Sequence, residues 1–200
     1  MKKAIRLIKS TAPGIGITLA GKYHSQIQDD IDDLCLFIKP PVSVNYIRER
    51  ANTNKITTFY TCCAKPEHPN NFTFSPPAEQ TWLGWYAASQ GYSGYLRWAY
   101  NSWPADPLKD SRFRSWPAGD TYQVYPGPKS SVRFEKLREG IEDYEKIMII
   151  KKALEKYAET DSVKQKFERT LKIFSLKNLD DKPASYWVNK GQEMLEELSK

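Results

Sequence analysis

Apolar positions along the chain switch repeatedly between a helical period and short continuous runs. Within Lys2 to Ala12, Ile5, Leu7, Ile8 and Ala12 recur at near-helical spacing, and Pro13-Gly14 ends the segment. Ile15 to Ala20 then reads as a short buried strand, followed by a polar loop around Tyr23-His24-Ser25. A second apolar strand covers Ile31 to Ile38 and stops at Pro40-Pro41. Val44 to Asn52 is a short amphipathic helix, and Ile56 to Cys63, rich in Thr and aromatic residues, is a third strand. After a Pro/Asn/Phe loop from Ala64 to Pro77, Ala78 to Gln90 forms a helix. It sets Trp82, Trp85 and Tyr86 at i, i+3 and i+4, where they are expected to pack against the sheet.

The fourth strand is expected over Tyr95 to Asn101, with Tyr95, Arg97, Ala99 and Asn101 on one face and Leu96, Trp98 and Tyr100 on the other. Trp103-Pro104 stops it. A long aperiodic stretch follows, reaching Pro128. Loops beyond about 12–15 residues are uncommon in compact domains and are usually functional or disordered. Trp103, Phe113, Trp116, Tyr122 and Tyr125 give this one apolar surface to bury, so an ordered loop is expected, forming one wall of a site. Ser131 caps a long helix to about Tyr157, with Val132, Leu137, Ile141, Tyr144, Met148 and Leu154 as its apolar stripe. Two further helices, about 162–175 and 183–199, close the chain.

Alternation of helix and strand implies an α/β fold with parallel strands joined by crossover helices. The strands are apolar on both faces, as buried parallel strands are. The long loops follow strands, whereas the returns from helix to strand are short, which is the arrangement of a (β/α) barrel with its site at the strand ends. A full barrel needs eight strands, and four are visible. The pattern therefore leaves an open parallel sheet or the C-terminal half of a TIM-type barrel, in either case followed by C-terminal helices. Half a barrel leaves two open strand edges, so self-association through those edges, or poor solubility, is expected of the isolated chain.

Composition narrows the function classes. The net charge of +6, from 30 basic and 24 acidic residues, is spread over the C-terminal helices and both ends rather than gathered in a basic stripe, which argues against nucleic acid. No apolar run approaches a membrane span of about 18 residues, and Arg6 and Lys9 interrupt any leader-like segment. His24 and His68 lack a second ligand at metal spacing, so neither a metal nor a cofactor is expected. Asp29 to Asp33 lacks the Gly and Glu of a calcium loop and reads as a solvated turn. Cys35, Cys62 and Cys63 read as small buried hydrophobes on strands. Asn71-Phe72-Thr73 matches a glycosylation sequon, a weak pattern by itself.

Three separated motifs carry a resemblance. The runs GYLRWAYNSW, PAGDTYQVYPGP and SVRFEKLREGIEDYE, preceded by FYTCCAKPEHPNNF and TWLGWYAASQGYSGY, resemble the C-terminal part of the glycoside hydrolase family 123 catalytic domain, also called the DUF4091 domain. The likeness runs from about Ala4 to Leu154. It implies residues 1–157 as the C-terminal portion of a (β/α)8 barrel and residues 158–200 as a helical extension. It also implies an exported bacterial protein, periplasmic or at the cell surface, acting on an N-acetylhexosamine-containing glycan. Members of the family resemble retaining N-acetyl-β-galactosaminidases in which the substrate's 2-acetamido oxygen is the nucleophile, oriented by an Asp beside a Glu general acid. Substrate assistance of this kind departs from the two-carboxylate scheme. This chain departs from the pattern: it contains no Asp-Glu dipeptide, and Glu142-Asp143 is reversed and helical. The resemblance places the catalytic pair before Ala12-Pro13-Gly14, upstream of Met1, so no catalytic residue is expected in this chain. The alternative is a non-catalytic carbohydrate-binding or structural protein on the same scaffold.

Five residues are candidates for sugar contact. Sugars present apolar C–H faces to aromatic rings and hydroxyls to polar rims. Trp98 is either a sugar platform or core, and Trp103, beyond the strand, is a contact candidate. Asn101 serves the rim or holds the loop. Tyr60, at the end of the third strand, meets the acetamido group or packs. Asp120 binds a hydroxyl or fixes a turn. Arg133, Arg138, Glu142 and Asp143 are expected to hold the long helix to the barrel.

Overall fold

The computed structural model describes residues 1–39, 42–63, 68–127 and 129–199. Pro40-Pro41, expected to end the second strand, lies outside them, as do residues 64–67 of the loop that follows and Pro128. Two compact units divide the chain. One comprises Met1–Tyr60 with Gln90–Leu96, the other Thr61–Ser89 with Arg97–Lys200.

The first unit holds α1 (Lys2–Thr11), β1 (Thr18–Gly21), a 3-10 turn (Ser25–Asp30), β2 (Asp33–Phe37), α2 (Val44–Asn52), β3 (Ile56–Tyr60) and β4 (Gly94–Leu96). The sheet order is β1-β2-β3-β4 and every pairing is parallel, with Leu19 opposite Leu34, Leu36 opposite Phe59, and Phe59 opposite Tyr95. This is the expected α/β fold, with the sheet and helices of part of a TIM-like barrel. Leu34, Cys35 and Leu36 are all fully buried although successive side chains point to opposite faces, so β2 is covered on both sides. Ile5 of α1 joins Ile27, Ile31, Leu34 and Leu36 in one cluster. Each such buried side chain contributes about 1.5–3 kcal/mol.

Arg50, near the end of α2, is 4% exposed and pairs with no carboxylate among the described residues. Its Nη2 donates to the carbonyls of Ile31 (3.2 Å) and Ile56 (3.0 Å), and its Nε to Thr57 Oγ1 (3.0 Å). One guanidinium thus satisfies oxygens at the entry ends of two adjacent strands. Beyond that end, Asp32 Oδ2 accepts from the Ile17 amide at 2.7 Å, giving one member of the acidic run a structural task.

The second unit holds α3 (Ala78–Gln90, assigned here up to Ser89), α4 (Val132–Leu154), α5 (Ser162–Lys172), α6 (Leu176–Asp181) and α7 (Ala184–Leu198). The C-terminal region therefore has three helices where two were expected, because the Ser175 hydroxyl caps a short new one by accepting from Asn178 N. Trp82 and Trp85 are fully buried. Trp85 stacks on Phe174 at 4.6 Å, and its Nε1 donates to Asp143 Oδ2 at 3.0 Å, so these partners in this unit come from the link between α5 and α6 and from α4. Gly84 and Gly140 bring α3 and α4 so close that a Cβ on Gly84 would sit 2.0 Å from the Gly140 carbonyl oxygen.

The expected stripe of α4 is corrected. Val132, Ile141 and Met148 are exposed, and the buried residues are Arg133, Gly140, Asp143, Ile147 and Leu154. Of the expected stripe, Leu154 is buried and Leu137 and Tyr144 are half-buried; the rest of the contact face comes from Ile147, a glycine approach and two buried charges, the last of which a hydrophobic period does not register. Of the four charged residues expected to anchor the helix, Arg133 and Asp143 do so. Arg138 pairs on the surface with Glu135 (2.8 Å) and Glu142 (3.8 Å). The cysteine expectation holds only for Cys35, buried on β2; Cys62 and Cys63 lie past the end of β3, and Cys63 is exposed.

Candidate functional site

β4 ends at Leu96, five residues earlier than its composition suggests. Arg97 turns inward instead of continuing the strand, and its side chain is 5% exposed. Its Nη2 donates to Asp120 Oδ1 at 2.6 Å and its Nη1 to the Thr61 carbonyl at 3.0 Å. Asp120 is fully buried. It follows Gly119, whose φ of +78° and close neighbours Thr73 and Arg133 leave no room for a side chain.

The segment expected to extend β4 pairs instead with chain twenty residues downstream. Ser102 N donates to Thr121 O (3.0 Å), Gln123 N to Tyr100 O (2.8 Å), and Asn101 bridges Tyr122 in antiparallel sense. Trp103 Nε1 donates to Val124 O at 2.7 Å. The long loop is thus closed at its base by its own backbone. Ser131 continues the closure: its Oγ accepts from Phe134 N at the start of α4 and donates to Gln123 O. From α4, Arg133 Nη1 donates to Asn71 O (2.8 Å) and Gly119 O (2.7 Å), and its guanidinium lies over the Tyr122 ring at 5.2 Å. Burial lowers the Arg133 pKa and pushes the Tyr122 phenol up to about 12, so the phenol stays protonated near neutrality.

Beside this rigid base, aromatic surface remains open. Trp98 is 44% exposed and Trp116 36% exposed, with ring centroids 5.2 Å apart and planes tilted by 45°. Trp98 is therefore not a core residue. Asn101 is exposed, and Trp103 is half-buried. Around the base, the side-chain amides of Asn71 and Gln123, together with Asp120 Oδ2, Arg97 Nε and Arg133 Nη2, are buried polar groups with no protein hydrogen-bond partner among the described residues. Such density of polar atoms is costly in a plain core, at about 1–3 kcal/mol each, and is a mark of functional or hydrated regions. Full burial of Asn71 also removes the sequon from consideration in the folded chain.

The second unit thus brings Trp98, Asn101, Trp103 and Asp120 onto one loop and its closing strandlets. Tyr60 belongs to the first unit, at the exit end of β3, half-buried with its ring edge-on to Phe37 at 5.5 Å. Two participants were not singled out from sequence. Trp116 sat among the loop aromatics, with nothing local to say which would stay open. Arg97 looked like an ordinary strand residue, and its partner lies 23 positions away. Glu142 is exposed, while Asp143 accepts from Trp85 and Gln192, so the reversed acidic pair is structural. Among the described residues, no group of three or more His, Cys, Asp or Glu side chains is placed to hold a metal ion. No helix among them is long and apolar enough to cross a membrane.

The family model for the glycoside hydrolase 123 catalytic domain matches residues 1–150. The chain belongs to that family. No curated protein matches it. Among solved structures, a family 123 glycoside hydrolase from Clostridium perfringens, analysed for glycolipid glycan hydrolysis, is similar over 98% of this chain with a TM-score of 0.79 and 24% identity. The present chain spans 39% of that protein. Along the chain of this glycoside hydrolase 123 family member, the closed loop and its open tryptophans follow β4 in sequence.

Proposed function

We propose that this chain forms the sugar-binding wall of a retaining, substrate-assisted glycosidase of the N-acetyl-β-galactosaminidase type. The observation that carries the reading is the open Trp98–Trp116 pair on a loop locked by the buried Arg97–Asp120 ion pair. Exposed indoles held on a rigid base cost little to order and offer flat apolar area to the C–H face of a pyranose. Asn101 supplies an amide at the rim and Trp103 shapes the loop wall; in the first unit, Tyr60 is taken separately as a contact for an acetamido group. Asp120 acts through the loop, because Arg97 occupies one of its oxygens. The catalytic Asp-Glu pair is supplied from outside these residues, since the sequence contains no such dipeptide. Residues 158–200 are a helical extension of the catalytic portion at 1–157.

The absence of an Asp-Glu dipeptide favours one second reading, a non-catalytic N-acetylhexosamine-binding protein on the same scaffold. Titration calorimetry with N-acetylgalactosamine, together with turnover of a chromogenic N-acetyl-β-galactosaminide, separates the readings. The expected result is weak saturable binding, no turnover by this chain alone, and turnover when the segment bearing the Asp-Glu pair is supplied. Robust turnover by the chain alone refutes the placement of the acid. Binding that stays without turnover even when that segment is supplied selects the second reading, and no binding at millimolar sugar refutes both.

A further inference from the structure

Cys62 and Cys63 follow the end of β3, and the proposed glycosidase reading assigns them nothing. The two cysteines are neighbours in the chain, just past the last residue of β3 at Tyr60. Cys62 is half-buried and Cys63 exposed. The backbone that carries them is engaged at two points: the Thr61 carbonyl accepts from Arg97 Nη1 at 3.0 Å, and the Cys62 carbonyl accepts from Asn70 Nδ2 at 2.8 Å. Adjacent Cα atoms are about 3.8 Å apart across a trans peptide, whereas disulfides normally span about 4.4–6.8 Å. A bridge between neighbours is therefore strained, and strained, exposed bridges are the labile ones.

We propose that Cys62 and Cys63 are a modification site, a vicinal dithiol that a low-molecular-weight disulfide such as oxidised glutathione converts reversibly into an intramolecular disulfide. The exposed Cys63 thiolate attacks one sulfur of the small disulfide, forming a mixed disulfide and releasing one small thiolate. The Cys62 thiolate then attacks Cys63 Sγ, closing the protein bridge and releasing the second. Two electrons pass from the protein sulfurs to the small disulfide, and the two protein protons end on the two small thiols. Closing the eight-membered ring turns the peptide between the cysteines and shifts the Thr61 and Cys62 carbonyls from their donors. The site is thereby linked to Arg97 and, through it, to the loop base. Partial desolvation, the adjacent Cys62 thiol and the Asp120 carboxylate push the Cys63 thiol up to about 11. The first step therefore accelerates about tenfold per pH unit between 7 and 9.

The test is oxidation of the folded chain with glutathione disulfide, followed by acid quench, alkylation under denaturing conditions and peptide mass analysis. The expected product has lost about 2 Da, retains no glutathione, and alkylates only at Cys35, with dithiothreitol restoring all three thiols. Cys62→Ser is expected to stop at the mixed disulfide on Cys63. The oxidised chain is expected to melt at a lower temperature than the reduced chain. Glutathione retained on the wild-type chain, a disulfide-linked dimer, or three thiols still free overturns the proposal. An unchanged melting temperature overturns the link to Arg97. Should Cys62→Ser fail to fold, the wild-type peptide map alone decides.

Discussion

Replacing Asp120 by Ala tests whether the loop base rests on a buried ion pair. The two side chains are 5% and 0% exposed and approach to 2.6 Å, which corresponds to about 6 kcal/mol of attraction at an effective dielectric of 20. Much of that offsets the desolvation of both charges, so the pair's net worth is far smaller. Removing one partner is another matter, because Arg97 then stays buried with, among the described residues, only the Thr61 and Asp120 carbonyls to meet it. Breaking such a pair costs about 3–5 kcal/mol, a large share of a typical domain's total stability. Urea denaturation followed by tryptophan fluorescence should show a midpoint lowered by about 2 M. Arg97→Met in the Asp120→Ala background should recover part of the loss, giving a coupling of about 2–3 kcal/mol in the double-mutant cycle. A cost for Asp120→Ala below about 1 kcal/mol, or coupling near zero, would refute the reasoning. Either result would mean that Arg97 finds water.

Trp98→Ala should weaken N-acetylgalactosamine binding about 5–20-fold by calorimetry with little change in melting temperature, since the ring is largely open; unchanged affinity sinks the stacking role. Gly84→Ala gains about 1 kcal/mol of helix propensity but drives a methyl 2.0 Å from the Gly140 carbonyl, so thermal melting should show net destabilisation of about 1–2 kcal/mol, against a near-neutral Gly14→Ala, which meets nothing within 4 Å. Burial raises the Glu79 pKa despite His68 at 2.7 Å and the Asn70 amide at 2.8 Å. The folded state therefore holds this proton more tightly than the unfolded state, so Glu79's contribution is present below its unfolded value near 4.5 and is lost as pH rises through the folded one. Glu79→Gln should gain stability relative to wild type from pH 4 to pH 8 in denaturation curves; a constant difference would contradict this. β1 and β4 each have one neighbour in the sheet, so size-exclusion chromatography should show association that grows with concentration, and a clean monomer throughout counts against open edges.

Much of the sheet was legible because its signals are local. Pro13-Gly14, the apolar run at Leu34–Cys35–Leu36 and the boundaries of α2 and α3 need no distant partner to be read. The fourth strand was misjudged for the opposite reason. Trp98 to Asn101 has good strand composition, but its backbone bonds go to Thr121–Gln123 rather than along β3, and composition cannot choose between two partners. On α4, Val132, Ile141 and Met148 looked like core and are not. Gly140 and Asp143 won that face through close backbone approach and a hydrogen bond to Trp85, neither of which scores as hydrophobic. The candidate site was half legible. Its aromatics and Asp120 stood out by type, whereas the role of Arg97 existed only once the chain had folded back across 23 residues.

The placement of Arg50 gives the parallel sheet a division of labour. One cation gathers the carbonyls of Ile31 and Ile56 where the chain enters β2 and β3, so cohesion is concentrated at that rim. The opposite rim, where Phe37 and Tyr60 end their strands, is held without this cation, by bonds such as Ile38 N to Tyr60 O at 3.1 Å. Residues there are free to diverge for new ligands without unravelling the staves beneath them.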